Sequence, residues 1–510
     1  MNSSTSRLAL LLFGLAIMLI FGFGQVVERI DLGPTGCHAW RQADGAAFAR
    51  QFSQGSNNLF EPQVYNLAGK EGKMATELPI TYWIAGQFGR GFGFSPAWLR
   101  GLHLLIFTIG AYFFFLFCRR QIGNDYLALL PPLLVLSSPL LLYYGNNTLP
   151  NVPAMGMVFI AYWALWRYFQ DEGRLRWLLI SAASLSMALL LKASEGIHFV
   201  AMVGTIGLAH LFFKAELHEN LRQLSLRRLA GYGLWAAIVL LPFLAWYFYA
   251  QSYNETYGNK ANLSGFLPIW EADATERAAA WRGLTVRFFK RMAHRPLWWI
   301  MCAMLITYLF NPRTYRSLFN WLVILLSLGA WAYILLFYEV FNSHDYYLVT
   351  GLPALIFFTV GWLRLYKDWL TKAKVKWVTL GLSLGLFAYT LVYLDEEMTE
   401  YYSYPDVNPS WMDFEPALRA MGVSQDAVVV VMPDYSPNIS LFYCNNLGYS
   451  DYFHVWRSAK DLNYLYGQGV RYLIAAGEDH LNDDMHNRLG DLVGRHRDIV
   501  VYPILPEAGK

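Results

Sequence analysis

Residues 97–120 read AWLRGLHLLIFTIGAYFFFLFCRR. The window 97–117 is mostly apolar and aromatic over the ~20 residues that a helix needs to cross a bilayer, and two arginines close it. Similar windows lie near 8–24, 125–144, 151–168, 176–192, 196–213, 231–250, 296–310, 317–337, 346–363 and 376–394. The expected fold is therefore a polytopic all-α membrane protein with about 11 transmembrane helices, occupying residues 1–395. The run from Leu8 to Gly24 behind Arg7 resembles a signal peptide. It lacks a small-residue cleavage site and more spans follow, so it is expected to be a retained first helix.

Composition agrees. Of the 510 residues, 55% are hydrophobic and 17% aromatic, and only 15% are charged, where a soluble chain carries roughly a quarter. A dispersed net charge of +3 gives no basis for nucleic-acid binding. Cys37, Cys118, Cys302 and Cys444 are far apart and form no CxxC pair, which argues against a zinc cluster or a disulfide framework.

Placing the N-terminus in the cytoplasm puts Arg119-Arg120, the Arg167 to Arg176 stretch, the Lys214 to Arg228 stretch, Arg313 with Arg316, and the Arg364 to Lys376 stretch on the inside, as the positive-inside rule requires. An odd number of spans then leaves the tail outside. Two expected outer loops, 26–96 and 251–295, are long and basic. Within the first, Leu78 to Phe94 is apolar but interrupted by Gly86, Gly89, Gly91 and Gly93, and reads as an interfacial or re-entrant helix.

The tail, 398–510, changes character. Short apolar runs at 427–432, 471–475 and 498–504 read as strands, and 459–466 and 483–493 read as helices. This alternation predicts a small C-terminal α/β domain with parallel pairing. Gly467 to Gly469 is a turn before a strand rather than a phosphate loop, so no chemistry is assigned there.

Charge beside a membrane is costly, so each such residue needs a reason. The first outer loop carries Cys-His-Ala-Trp-Arg-Gln-Ala-Asp at 37–44. A helix starting near Trp40 places Asp44 one turn on from Trp40 and Arg41, on the same side. Gly45, Ala46 and Ala47 follow, which would leave the carboxylate accessible. Two readings stand: a general base, or a surface ion pair with Arg41.

Trp-Arg-Gln-Ala-Asp at 40–44, Phe-Ala-Arg at 48–50 and Glu-Leu-Pro-Ile-Thr-Tyr at 77–82 together resemble the GT-C glycosyltransferases. Bacterial members of the protein-mannosyltransferase and aminoarabinose-transferase superfamily are the nearer relatives. The resemblance covers roughly residues 1–395. It implies a polyprenyl-phosphate-linked sugar donor, a glycan, lipid or protein acceptor, and a hexosyl- or pentosyl transfer. It also implies an active site facing the periplasm in a multi-pass protein of the bacterial inner (plasma) membrane. In that family an acidic residue of the first outer loop is catalytic, which here is Asp44. Many relatives have an acidic pair where this chain has His38-Ala39, and an Asp where it has Asn151. Asn151 is then a neutral hydrogen-bonder that supports the base, and His38 either supports Asp44 in the same way or is an ordinary loop histidine. With one carboxylate rather than several, a divalent cation is not favoured, and no metal or cofactor is expected.

Further candidates carry alternatives beside them. Glu77 binds acceptor or sugar, or it caps the helix that follows. Lys192 holds the donor phosphate, or pairs locally with Glu195 and snorkels. Arg287, Lys290, Arg291 and His294, at i, i+3, i+4 and i+7, form one cationic helical face for phosphate. The competing reading is an interfacial helix on anionic headgroups. His344 and Tyr347, in Asn-Ser-His-Asp-Tyr-Tyr at 342–347, bond the phosphate or sugar, or belong to an aromatic belt. Arg41 is placed with the donor-binding group.

The runner-up enzyme is an oligosaccharyltransferase or ligase using a lipid-diphosphate donor, with the same basic pocket. A lipid or glycan transporter would predict inverted repeats and charge at mid-membrane. The hydropathy shows no repeat, and the charges gather at the outer ends of spans.

Overall fold

Every apolar window carries a helix in the computed structural model, which describes residues 3–171, 173–259, 265–434 and 436–506. By length and composition, five helices can cross a bilayer: Pro96–Ile122, Leu226–Thr256, Leu318–Leu336, Asp345–Leu370 and Ala373–Tyr402. Shorter apolar helices are Arg7–Phe23, Leu175–Leu191 and Arg295–Leu309. The chain is a mostly helical, multi-pass membrane protein with a small C-terminal sheet.

The window 125–144 is not one straight helix. Leu127–Leu136 and Pro139–Gly145 meet at 62°. Proline excludes its predecessor from the helical region and offers no N–H to the turn before it. Ser138 is accordingly extended (φ −69°, ψ 121°) and Pro139 starts the second segment.

Contacts within the chain separate two units: Met1–Ile30, Gly101–Tyr247 and Ser264–Glu400 form one, and Asp31–Arg100, Phe248–Leu263 and Tyr401–Lys510 the other. In the first, the membrane unit, Pro96–Ile122 and Asn151–Gln170 approach through glycines. A Cβ on Gly110 would lie 2.4 Å from Gly156 Cα. Such backbone approach is what small residues allow where apolar burial gives no drive to associate. Basic residues of the expected inner connections are locally paired, Arg119 with Asp125 at 2.9 Å and Arg120 with Asp171 at 2.5 Å.

The second unit, outer by the expected topology, joins residues 31–100 to the tail. Helices Ala39–Gln54 and Ile80–Phe92 pack side by side and run parallel, with Phe48 stacked on Tyr82 and, further along both, Arg90 donating to Phe52 O. The glycines that interrupt the second helix are the contact surface: a Cβ on Gly86 would meet Phe52 Cβ at 2.5 Å, and one on Gly89 would meet Ser53 Cβ at 2.8 Å.

The tail's five strands are β1 (Val428–Met432), β2 (Gly448–Ser450), β3 (Val470–Ala476), β4 (Gly494–His496) and β5 (Ile499–Pro503), ordered β2-β1-β3-β5-β4. Pairing is parallel for β1 with β2 and β3, and antiparallel for β3 with β5 and β5 with β4. The sheet is thus mixed rather than parallel, because β4 and β5 form a tight hairpin. The helix expected over 483–493 shrinks to Asp483–His486. The residues after it run alongside β5 instead, with Gly490 N–H donating to Pro503 O and Val493 N–H to Val501 O. The short strand β2 and the helix Ile439–Cys444 were not anticipated.

One face of this sheet packs on the first-loop helix. Ala43, Ala46, Ala47, Phe48 and Phe52 share a buried core with Val429, Val431, Leu441, Phe442 and Ile474. The exposed edge of β2 is capped by the same loop: Gly448 N–H donates to Tyr65 O, and Leu67 N–H to Gly448 O. Blocking an edge in this way prevents strand addition by another chain.

Candidate active site

In the outer unit, the helix Ala39–Gln54 begins after His38, whose backbone is left-handed (φ 58°). Its carbonyl accepts from the amides of Arg41 and Gln42. The loop before it is pinned from within: Gln42 Nε2 donates to Thr35 O and Cys37 O, and Arg100 donates to Gln42 Oε1 and Gly33 O. These contacts set where the first turn points.

The next turn holds Asp44. Its Oδ1 accepts from Asn438 Nδ2 at 2.8 Å, and Arg41 Nη1 stands 3.6 Å from Oδ2. Arg41 Nη2 also donates to Glu77 Oε1 at 2.7 Å, and Tyr82 Oη donates to the same oxygen at 2.5 Å. Arg41 therefore bridges two carboxylates. Glu77 does not cap the next helix, whose N-cap is Pro79 with no side-chain cap bond.

Asp44 is only 7% exposed, contrary to the accessibility expected from its small neighbours. Ala46 and Ala47 are small because they sit in the core shared with the sheet, and that packing buries the carboxylate too. Burial raises the Asp44 carboxyl above the ordinary range, against the opposing pull of Arg41 and the Asn438 hydrogen bond. A carboxylate with an elevated proton affinity beside a fixed cation suits proton abstraction.

In the membrane unit, a second cluster surrounds the turn 345–350. Asp345 is fully buried; it accepts from Arg291 Nη1 at 2.7 Å and from Tyr144 Oη at 2.5 Å. Asn151 Nδ2 donates to Tyr346 O at 3.3 Å, so Asn151 braces this turn. Lys192 closes the helix Leu175–Leu191 and places its Nζ 4.7 Å from the centre of the Tyr347 ring. Among the described residues no carboxylate pairs with Lys192. The expected partner, Glu195, instead accepts from Thr350 Oγ1 at 2.7 Å and lies 3.2 Å from His198 Nε2. The ring of His344 lies beside those of Tyr346 and Tyr347.

The expected cationic face is not a single face. Gly283–Arg287 is π-helical, Phe288–Met292 is a short helix, and Ala293 is extended (φ −166°). Pro296 explains the break, since a continuing helix would need its missing N–H. The four side chains diverge accordingly. Arg287 donates to Asn342 O, Lys290 pairs with Glu397 and Glu400, Arg291 takes Asp345, and His294 caps the helix Arg295–Leu309 and meets Thr390.

Three participants escaped the sequence reading. Asp345 and Tyr144 complete the Arg291 cluster, and Asn438 reaches Asp44 from 394 residues away. Asp345 had a signal, an acid between aromatic residues at a span end; Asn438 had none.

Residues 76–246 match the family model for dolichyl-phosphate-mannose-protein mannosyltransferases. No curated protein matches at the sequence level. Among solved structures, ArnT from Cupriavidus metallidurans in the apo state superposes with a TM-score of 0.60 at 14% identity, covering 98% of both chains. The same protein bound to undecaprenyl phosphate gives 0.57 at 13% identity, over 96% of this chain and 97% of that one. The Archaeoglobus fulgidus oligosaccharyltransferase gives 0.56 at 11% identity, over 92% of this chain and 70% of that one. The chain is a multi-pass membrane protein with the GT-C fold.

Proposed function

We propose that this protein is a membrane glycosyltransferase that moves a sugar from a polyprenyl-phosphate donor to an acceptor hydroxyl, with Asp44 as general base. The observation that carries the reading is Asp44 itself: a buried carboxyl of raised proton affinity, held by Arg41 and Asn438 within a GT-C fold. The undecaprenyl phosphate bound by the ArnT structure supports a lipid-phosphate donor. We place the outer unit on the periplasmic side, as the positive-inside pattern requires, and count the eleven helical windows as spans or broken spans.

The acceptor oxygen attacks the anomeric carbon and gives its proton to Asp44. The bond from that carbon to the phosphate oxygen breaks, its electron pair leaves with the lipid phosphate, and anomeric configuration inverts. The donor phosphate is a diester with one negative charge, and a second develops as the bond breaks. A cation near it therefore acts mainly in the transition state. We assign this role to Lys192 rather than Arg291, because Arg291 is already paired with Asp345. Lys192→Met should lower kcat by about 10²-fold while changing donor KM far less. An effect confined to KM would remove Lys192 from the leaving-group role.

The decisive assay incubates purified full-length protein in lipid nanodiscs with labelled polyprenyl-phosphate sugar, and follows release of polyprenyl phosphate with transfer to a hydroxyl acceptor. Turnover of a lipid-diphosphate sugar without turnover of the monophosphate donor would overturn the assignment. Retained anomeric configuration in the product would overturn the single displacement.

A further inference from the structure

We infer that the C-terminal domain is a working part of this site, with Asn438 as a positioning residue that orients Asp44 and favours its ionised form. The inference rests on the reading of Asp44 as the base.

The orientation of the Asn438 amide is settled by its other neighbour. Asn438 Oδ1 lies 3.1 Å from the backbone N–H of Asn66, which can only donate. The carbonyl end must therefore face Asn66, and the NH₂ end must face Asp44 Oδ1 at 2.8 Å. A flipped amide would set two donors against each other on one side and two acceptors on the other. Asn438 is 1% exposed, so water cannot relieve such a clash.

Hydrogen bonds tie the described residues around Asn438 together. These residues follow β1, and Asp434 organises them: that buried carboxylate accepts from Ser436 N at 2.8 Å, Ser436 Oγ at 2.9 Å and Ser440 N at 2.8 Å. Ser436 Oγ in turn accepts from Ile439 N. From the first outer loop, Asn66 Nδ2 donates to Pro437 O and Ser450 Oγ, both at 2.9 Å. Asn438 is thus fixed from both sides before it meets the carboxylate. Preorganised donors cost no reorganisation when charge appears.

The chemical consequence follows from which oxygen is taken. Asn438 holds Oδ1, so Oδ2, beside Arg41, is the oxygen left to receive a proton. A donor to the charged form stabilises it. The other groups facing Asp44 are Arg41 from its own helix, Glu77 and Tyr82 from the start of the neighbouring helix, and Tyr452 from the tail. Arg41 favours ionisation, whereas Glu77 and burial oppose it. Asn438 is therefore the neutral contribution that keeps a buried base usable.

The test is the pH profile of kcat/KM for full-length protein with labelled polyprenyl-phosphate sugar. Asn438→Leu removes the donor at similar volume; its acid limb should move up by about 1–2 pH units, with activity recovering on the alkaline side. Asn438→Asp, nearly isosteric, should move the limb further, because a like charge disfavours the second ionisation. It also carries the test if the leucine variant fails to fold. An acid limb unmoved in the folded variants, with activity lost equally at every pH, would overturn the inference and leave Asn438 a packing residue. That outcome is separate from failure of the parent reading, which would show as wild-type turnover in Asp44→Asn.

Discussion

Asp44→Asn should lower kcat by about 10²–10⁴-fold, the range associated with loss of a positioned general base, while donor KM stays near the wild-type value. The substitution preserves shape and leaves Asn438 an acceptor at the same position. It removes the one property that matters, the capacity of Oδ2 to take a proton. Single-turnover measurements with bound donor separate this chemical step from product release. Turnover within about threefold of wild type would dismiss Asp44 as the base.

The same substitution makes an unusual stability prediction. Burial raises the Asp44 carboxyl, so the folded state binds this proton more tightly than the unfolded chain does. Stability contributed by this group is therefore highest below the ordinary carboxylate value. It falls as pH rises from there to the raised value, and is constant above it. Removing the ionisable group should leave the protein at least as stable at neutral pH as the wild type, despite the loss of activity. Thermal midpoints of the two proteins should diverge as pH rises through that interval. A variant that loses activity and melts markedly lower at neutral pH would point to a structural carboxylate instead.

The helices were legible because their signal is local. Twenty apolar residues must span or be buried, whatever surrounds them, and each window did become helical. Where the reading failed, a neighbouring residue had changed the meaning of the pattern. The spacing of Arg287, Lys290, Arg291 and His294 is helical only if the helix continues, and Pro296 ends it. Gly45 to Ala47 looked like clearance for a carboxylate, whereas they are the close-packed surface that buries it. Glu77 before Leu78-Pro79 had the form of a cap, but Arg41 and Tyr82 compete for the same oxygen and win. The tail's contribution to Asp44 had no local signature at all. Asn438 acquires its role only when β1 docks on the first-loop helix, a pairing that no periodicity encodes.

The largest stability effect is expected from Asp345→Ala. Asp345 is fully buried, Arg291 is 8% exposed, and the two meet at 2.7 Å with Tyr144 donating to the second carboxylate oxygen. Removing the carboxylate takes its anionic partner from the buried Arg291 guanidinium and an acceptor from the Tyr144 hydroxyl. Breaking one half of a buried pair costs about 3–5 kcal/mol, most of it the penalty for the charge left behind. The pair itself contributes far less, because desolvating both ions offsets much of their attraction. Two variants therefore separate the terms. Asp345→Ala should melt far below wild type in detergent, whereas the double variant Arg291→Met with Asp345→Leu should recover most of the loss. If the double variant melts as low as the single one, the deficit comes from packing rather than from a stranded charge. Activity then discriminates further. Should the stable double variant still turn over donor within about tenfold of wild type, Arg291 serves to hold the 345–350 turn and not to receive phosphate, which leaves Lys192 as the cation on which the leaving group depends.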